Sequence, residues 1–191
     1  MRKQNGFTLI ELMVIVAILG VLAATLVPQM NGMITKAKEA RTTAELVSIK
    51  NAMGGYLADV GSYPPSVQDF GRNWGDDVGL VDRTKVHVNH VISWQGPYLN
   101  NWPTRTAWAS ATSCGWSGAY YIHIPIGWIN RDGIDGNDYW IHMNPDCGAY
   151  PPSSAASIDR VIDDGNAGSG EFRVTGGRYI YFYIGEGLRS W

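Results

Sequence analysis

The residue in this chain most in need of a chemical explanation is a carboxylate surrounded by hydrocarbon. From Phe7 to Val27, 17 of 21 residues are Ala, Val, Ile, Leu, Met or Phe, and Glu11 is the single charge among them. A carboxylate near a bilayer centre costs about 2.5–3.5 kcal/mol, and less near the interface, so such groups usually find partners. No Lys, Arg or His lies within the run. The expected partner therefore comes from another molecule. Pairing would neutralise two groups that are each costly alone in a low dielectric.

Other candidates for chemistry lie downstream. Asp132-Gly133-Ile134-Asp135-Gly136-Asn137-Asp138 is dense in oxygen ligands, and calcium takes six to eight oxygens at 2.3–2.6 Å. The segment lacks the alternating acidic spacing and distal Glu of an EF-hand. It reads as Asp-Gly turns between strands, with a calcium site at Asp132, Asp135 and Asp138 as the alternative. Asp163-Asp164-Gly165-Asn166 has the same composition and reads as a turn. Cys114 and Cys147 allow at most one internal bridge, and two buried free thiols are the alternative. Neither a C-x-x-C nor a nearby His pair suggests a metal bound through them. His87, His90, His123 and His142 have no nucleophile at motif spacing, and G-x-S-x-G, H-E-x-x-H and P-loop patterns are absent. The expectation is a chain that is not an enzyme and needs no cofactor. Eight Trp could stack on sugars, but a head poor in Leu must also build its core from aromatics.

The elements that position these residues follow from patterning. At about 1.5 Å per residue, the apolar run spans roughly 30 Å, the thickness of a bilayer core. Arg2 and Lys3 precede it and no basic residue follows until Lys36. The positive-inside rule puts the N-terminus in the cytoplasm and the remainder outside. The run is longer than a signal-peptide core, and Pro28-Gln29-Met30 offers no small-residue cleavage site. Beyond it, Leu46, Ile49, Met53, Tyr56 and Val60 are spaced 3, 4, 3 and 4, one face of a helix, with Ala37, Ala40 and Ala44 approaching the same stripe. Gly61 and Pro64-Pro65 end the pattern. One helix is thus predicted from about Thr8 to about Val60, roughly 80 Å long. Gly20 and Pro28 are its weak points. Gly54-Gly55 reads as a place of close backbone packing.

Residues 61–191 differ in kind. They hold 18 of the 23 Gly, all 8 Trp, and 13 acidic against 9 basic residues. Tyr120–Ile126, Asp138–Met143, Glu171–Thr175 and Tyr179–Ile184 read as strands separated by long loops. In the last, Tyr179, Tyr181 and Tyr183 alternate with Ile180, Phe182 and Ile184, a period of two. The fold class is α+β: a long N-terminal helix against a small antiparallel sheet. The whole-chain averages, 45% hydrophobic, 17% charged and net charge −2, exclude a disordered chain. They also give no basic footprint for nucleic acid.

Gly6-Phe7-Thr8-Leu9-Ile10-Glu11 resembles the processing motif of the type IV pilin and type II secretion pseudopilin superfamily. The resemblance implies a leader, Met1–Gly6, removed by a prepilin peptidase that methylates the new N-terminal Phe7. It also implies that the Glu11 carboxylate pairs with the N-terminal amine of a neighbouring subunit, and that Gly20 and Pro28 weaken the helix during packing. The implied organisation is leader 1–6, membrane and polymerisation helix 7–28, amphipathic half of the same helix 29–60, and head 61–191. The implied partners are further copies of the chain in a helical filament, the prepilin peptidase and an inner-membrane assembly machinery. Tyr56-Leu57-Ala58-Asp59-Val60-Gly61-Ser62-Tyr63-Pro64 is similar to the stretch where major pseudopilins leave the helix, and Gly96-Pro97-Tyr98-Leu99 to their G-P-Y-L segment. Type IV pilins commonly carry a disulfide-bounded loop, so a Cys114–Cys147 bridge leans toward a pilus. A calcium site in the head is a feature of major pseudopilins. The expected function is a structural subunit of a pilus or a secretion pseudopilus. A membrane-anchored carbohydrate-binding or adhesin-like module that does not polymerise is the alternative.

Overall fold

The computed structural model describes residues 6–65, 76–109, 119–123, 129, 131, 137–143, 151–176 and 179–187. The chain divides into two compact units, Met1–Ala37 and Lys38–Trp191. Helix α1 (Leu9–Val60) contributes to both. Its ends fall within a residue of the expected ones, and it passes through Gly20 and Pro28 as one element. A Cβ added at Gly20 would meet nothing within 4 Å.

In the first unit the described chain is helical from Leu9 onward. Every described side chain from Phe7 to Ile34 is exposed, including Leu9 at 78% and Ile10 at 70%. A helix apolar on all sides suits hydrocarbon, where the backbone must satisfy its own hydrogen bonds. This segment is long and apolar enough to cross a membrane.

In the second unit, α1 buries Thr42, Leu46, Ile49, Ala52, Met53 and Tyr56. These match the expected stripe from Leu46 to Tyr56, while Val60 is half-buried. Upstream the stripe drifts from its expected course. Ala37, Ala40 and Ala44 are exposed, and Thr42 faces inward instead, where its Oγ1 accepts from Trp108 Nε1 at 3.1 Å. The reason is size: at a helix pitch of 3.6 residues, the side chain filling the space under the indole sets the face.

The head sheet contains β1 (Tyr120–His123), β2 (Asp138–Met143), β3 (Phe172–Thr175) and β4 (Tyr179–Glu186). The order is β1-β2-β4-β3, with every neighbouring pair antiparallel. All four expected strands are present; β1 is described only as far as His123. The period of two in β4 sorts its side chains between two clusters. Ile180, Phe182 and Ile184 join Tyr139, Ile141 and Met143 in the main core with the α1 stripe. Tyr181 and Tyr183 form a second cluster with Trp140 and Ile129, against which Tyr179 packs.

A second helix, α2 (Pro152–Ile162), departs from the expectation of strands and loops. Pro151-Pro152 looks like a breaker, but proline is favoured in a first helical turn because its missing N–H would have no partner there. The helix buries Ser154, Ala155, Ile158 and Asp159, and Ala155 and Ile158 belong to the main core.

Candidate assembly site and the helix exit

Thr8 and Glu11 close the N-terminus of α1 on itself. The Glu11 Oε2 accepts from Thr8 N at 2.9 Å and from Thr8 Oγ1 at 2.7 Å, and Thr8 Oγ1 accepts from Glu11 N at 3.3 Å. This is a capping box: two backbone donors that a helix start leaves unpaired are satisfied reciprocally. The signature, Thr followed three residues later by Glu before an apolar run, is legible in the sequence. In this chain the same carboxylate caps its own helix while standing on a surface where Phe7 is 79% exposed. Gly6 is exposed next to it.

The helix exit is built from both remaining motif segments. Gly61 sits just past the helix at φ +83°, and its N–H donates to Leu57 O at 2.8 Å, the left-handed cap that favours glycine. Tyr98, in the Gly96–Leu99 segment, donates from its hydroxyl to Asp59 Oδ2 at 2.8 Å. Its ring lies 5.6 Å from that of Tyr56, and its Cδ1 would be 3.1 Å from a Cβ at Gly55. Close packing at Gly54-Gly55 therefore holds for Gly55. At Gly54 an added Cβ would meet nothing within 4 Å.

His90, for which no nucleophile stands at motif spacing, organises this exit. Its Nδ1 is 2.9 Å from Tyr56 Oη and its Nε2 is 3.2 Å from Ser62 Oγ. A neutral imidazole offers one donor and one acceptor, and both hydroxyls can take either role. Burial, and then the nearby His87, hold the His90 pKa below its ordinary 6.5. The unfolded chain therefore takes up a proton before the folded one does. Stability is complete above that value and is lost as pH falls below it. The urea midpoint of the full chain in detergent micelles, taken relative to that of His90→Gln, should fall from about pH 7 to about pH 5. A pH slope unchanged by the substitution would assign that fall elsewhere.

The other expected site residues are dispersed. Asp138 is buried at the start of β2, where its Oδ2 accepts from Arg131 N at 2.6 Å. Asp132, Asp135, Cys114 and Cys147 lie outside the described residues. His123 and His142 are half-buried strand residues, and the His142 ring stacks on Tyr181 with centroids 4.5 Å apart. Among the described Trp, Trp102, Trp108 and Trp140 are buried and Trp94 is half-buried, with its Nε1 donating to Gly79 O at 2.7 Å. They build the core and form no exposed platform.

Comparison with known proteins bears on this arrangement. Residues 1–27 match the prokaryotic N-terminal methylation motif. The type II secretion system core protein G of Klebsiella michiganensis is 36% identical over 144 residues, covering 72% of this chain and 90% of that protein. The chain belongs to the type II secretion system core protein G family. In this chain the two segments Tyr56–Pro64 and Gly96–Leu99 meet through the hydrogen bond from Tyr98 to Asp59. Core protein G of Vibrio cholerae is 44% identical over 68 residues, 36% of this chain and 47% of that protein. The chain thus spans about half the length of the first curated relatives it matches. Among solved structures, the major type IV pilin PilA1 of Clostridium difficile is similar at a TM-score of 0.49 and 15% identity, covering 80% of this chain and 97% of that one.

Proposed function

We propose that this core protein G family member is the repeating structural subunit of a type II secretion pseudopilus. In this reading prepilin peptidase cuts between Gly6 and Phe7, and the new amine is methylated. The apolar part of α1 holds the subunit in the cytoplasmic membrane with its N-terminus inside and its head outside. An inner-membrane machinery then stacks the helices into a filament. The carrying observation is the exposed apolar surface of the described side chains from Phe7 to Leu26, interrupted by the Glu11 carboxylate. Lipid covers that surface in the monomer. In the filament, neighbouring helices cover it, and the Phe7 amine of one subunit meets the Glu11 carboxylate of the next. That exchange swaps an internal cap for a charge pair, coupling neutralisation to assembly. The role is structural rather than enzymatic.

Electron microscopy of sheared surface or periplasmic material, with mass spectrometry of its subunit, tests this reading. The expected result is filaments whose subunit begins at a methylated Phe7. A membrane-bound chain that retains Met1 and forms no filaments would overturn it.

A further inference from the structure

Three large apolar side chains stand out in solvent on the described part of the head: Val88 at 72%, Ile92 at 90% and Val161 at 73%. Val88 and Ile92 share the loop that runs from a 3₁₀ turn, Arg83–Lys85, to Trp94. Val161 lies in the last turn of α2.

The loop that carries the first two is held throughout by hydrogen bonds. Asp82 caps the 3₁₀ turn by accepting from Thr84 N at 2.8 Å, and Arg83 Nη2 donates to Val91 O at 3.2 Å. Ser93 N and Trp94 N both donate to His90 O, and the buried His90 ring bonds with Tyr56 and Ser62. The Asp77 carboxylate holds the preceding turn, accepting from Leu80 N, Val81 N and Asp82 N. Val88 and Ile92 are therefore presented from a fixed backbone, and covering them requires little further ordering.

Charge gives the two places opposite signs. Arg83 and Lys85 are exposed on the loop of Val88 and Ile92 and make no ion pair among the described residues. They belong to a head whose other residues, Asp82 aside, carry 12 acidic against 7 basic groups. Val161 stands in that acidic remainder, between the exposed Arg160 and the exposed Asp163 and Asp164.

We propose that the Val88–Ile92 knob of one head docks on the Val161 face of a second copy of this chain. Apolar side chains meet at the centre of the contact, and Arg83 and Lys85 meet the acidic surface around it. Like charge disfavours knob against knob, so the contact joins one patch to a different patch. Such a head-to-tail contact propagates along a filament where a two-fold contact would close into a dimer. Three side chains offer too little surface for stable association by themselves. Resting on the filament reading, the contact forms between copies already held together by α1, where the effective concentration is high and a small second contact counts. It fixes which face of each head its neighbour meets.

Charge exchange in the full chain tests the contact, read as the yield of sheared filaments. Ile92→Asp and Val161→Lys should each lower that yield about tenfold or more, because each buries a lone charge at the contact. Both positions are exposed in the subunit, so the urea midpoints of the two variants in micelles should match wild type. Combining the two substitutions, which sets the new carboxylate against the new ammonium, should recover most of the yield. In a separate measurement, Ile92→Cys combined with Val161→Cys should give oxidised filaments a ladder of disulfide-linked multimers that neither single variant gives. Wild-type yield from both single charge variants would overturn the proposal, as would double variants that neither recover yield nor cross-link. A wild type that forms no filaments would overturn the filament reading as well, which tells the two failures apart.

Discussion

Glu11→Ala is expected to leave the chain inserted in the membrane and to stop its polymerisation. Insertion rests on the apolar residues around Glu11, and removing a charge from that run only favours it. Assembly loses one member of a desolvated charge pair, and leaving the other member buried alone costs about 3–5 kcal/mol. At about 1.4 kcal/mol per tenfold, that is about two to three and a half orders of magnitude in the assembly equilibrium. The capping box supplies a second effect that has to be separated. Losing the helix cap costs about 1 kcal/mol. Glu11→Gln separates the two, since Gln still caps through its amide oxygen but carries no charge. Glu11→Gln should therefore assemble almost as poorly as Glu11→Ala, while Thr8→Ala, which keeps the charge, should lower filament yield by less than about tenfold. Quantifying sheared filaments against membrane-inserted subunit measures all three. Wild-type yield from Glu11→Ala would remove Glu11 from the assembly mechanism.

Gly96→Ala is expected to destabilise the head. A Cβ at Gly96 would stand 2.6 and 2.8 Å from two ring carbons of Trp94 and 2.8 Å from Tyr98 Cδ2. Both rings are tied down: Trp94 Nε1 donates to Gly79 O, and Tyr98 Oη donates to Asp59. Neither can swing away without losing a hydrogen bond, so overpacking should cost about 2–3 kcal/mol. Gly54→Ala is the matched control. It lies in a helix, is exposed and would meet nothing within 4 Å. It should stabilise by about 0.5–1 kcal/mol, because alanine restricts the unfolded chain and favours helix. Denaturant midpoints of the two variants should move in opposite directions. If Gly96→Ala matches wild type, the wedge between the rings carries no structural weight.

Much of this molecule could be read without its structure, though unevenly. The bounds of α1, the four strands and the division of β4 into two faces follow from local periodicity. Thr8 was equally legible as a cap, because its signature spans only four residues. Helix α2 was not anticipated, and its Pro-Pro opening shows why: such a pair has two opposite meanings, a breaker inside a helix and a favoured opening to one. The alanine stripe was misplaced because helical spacing defines a face only as far as something packs against it.

Taken alone, the amino-acid order determined where the chain meets hydrocarbon, where a charge interrupts that surface, and the processing motif before it. These depend on composition over neighbouring residues and on a partition between solvents, which needs no partner from elsewhere in the chain. The tertiary structure decided which polar groups meet. Tyr56 finds His90 across 34 residues, Lys50 finds Glu171 across 121, and Asp159 is turned inward by the packing of Ala155 and Ile158 on the same helix. Such pairings arise only when a closed core brings distant segments together. Buried polar groups were accordingly the part of the protein that the order of residues left open.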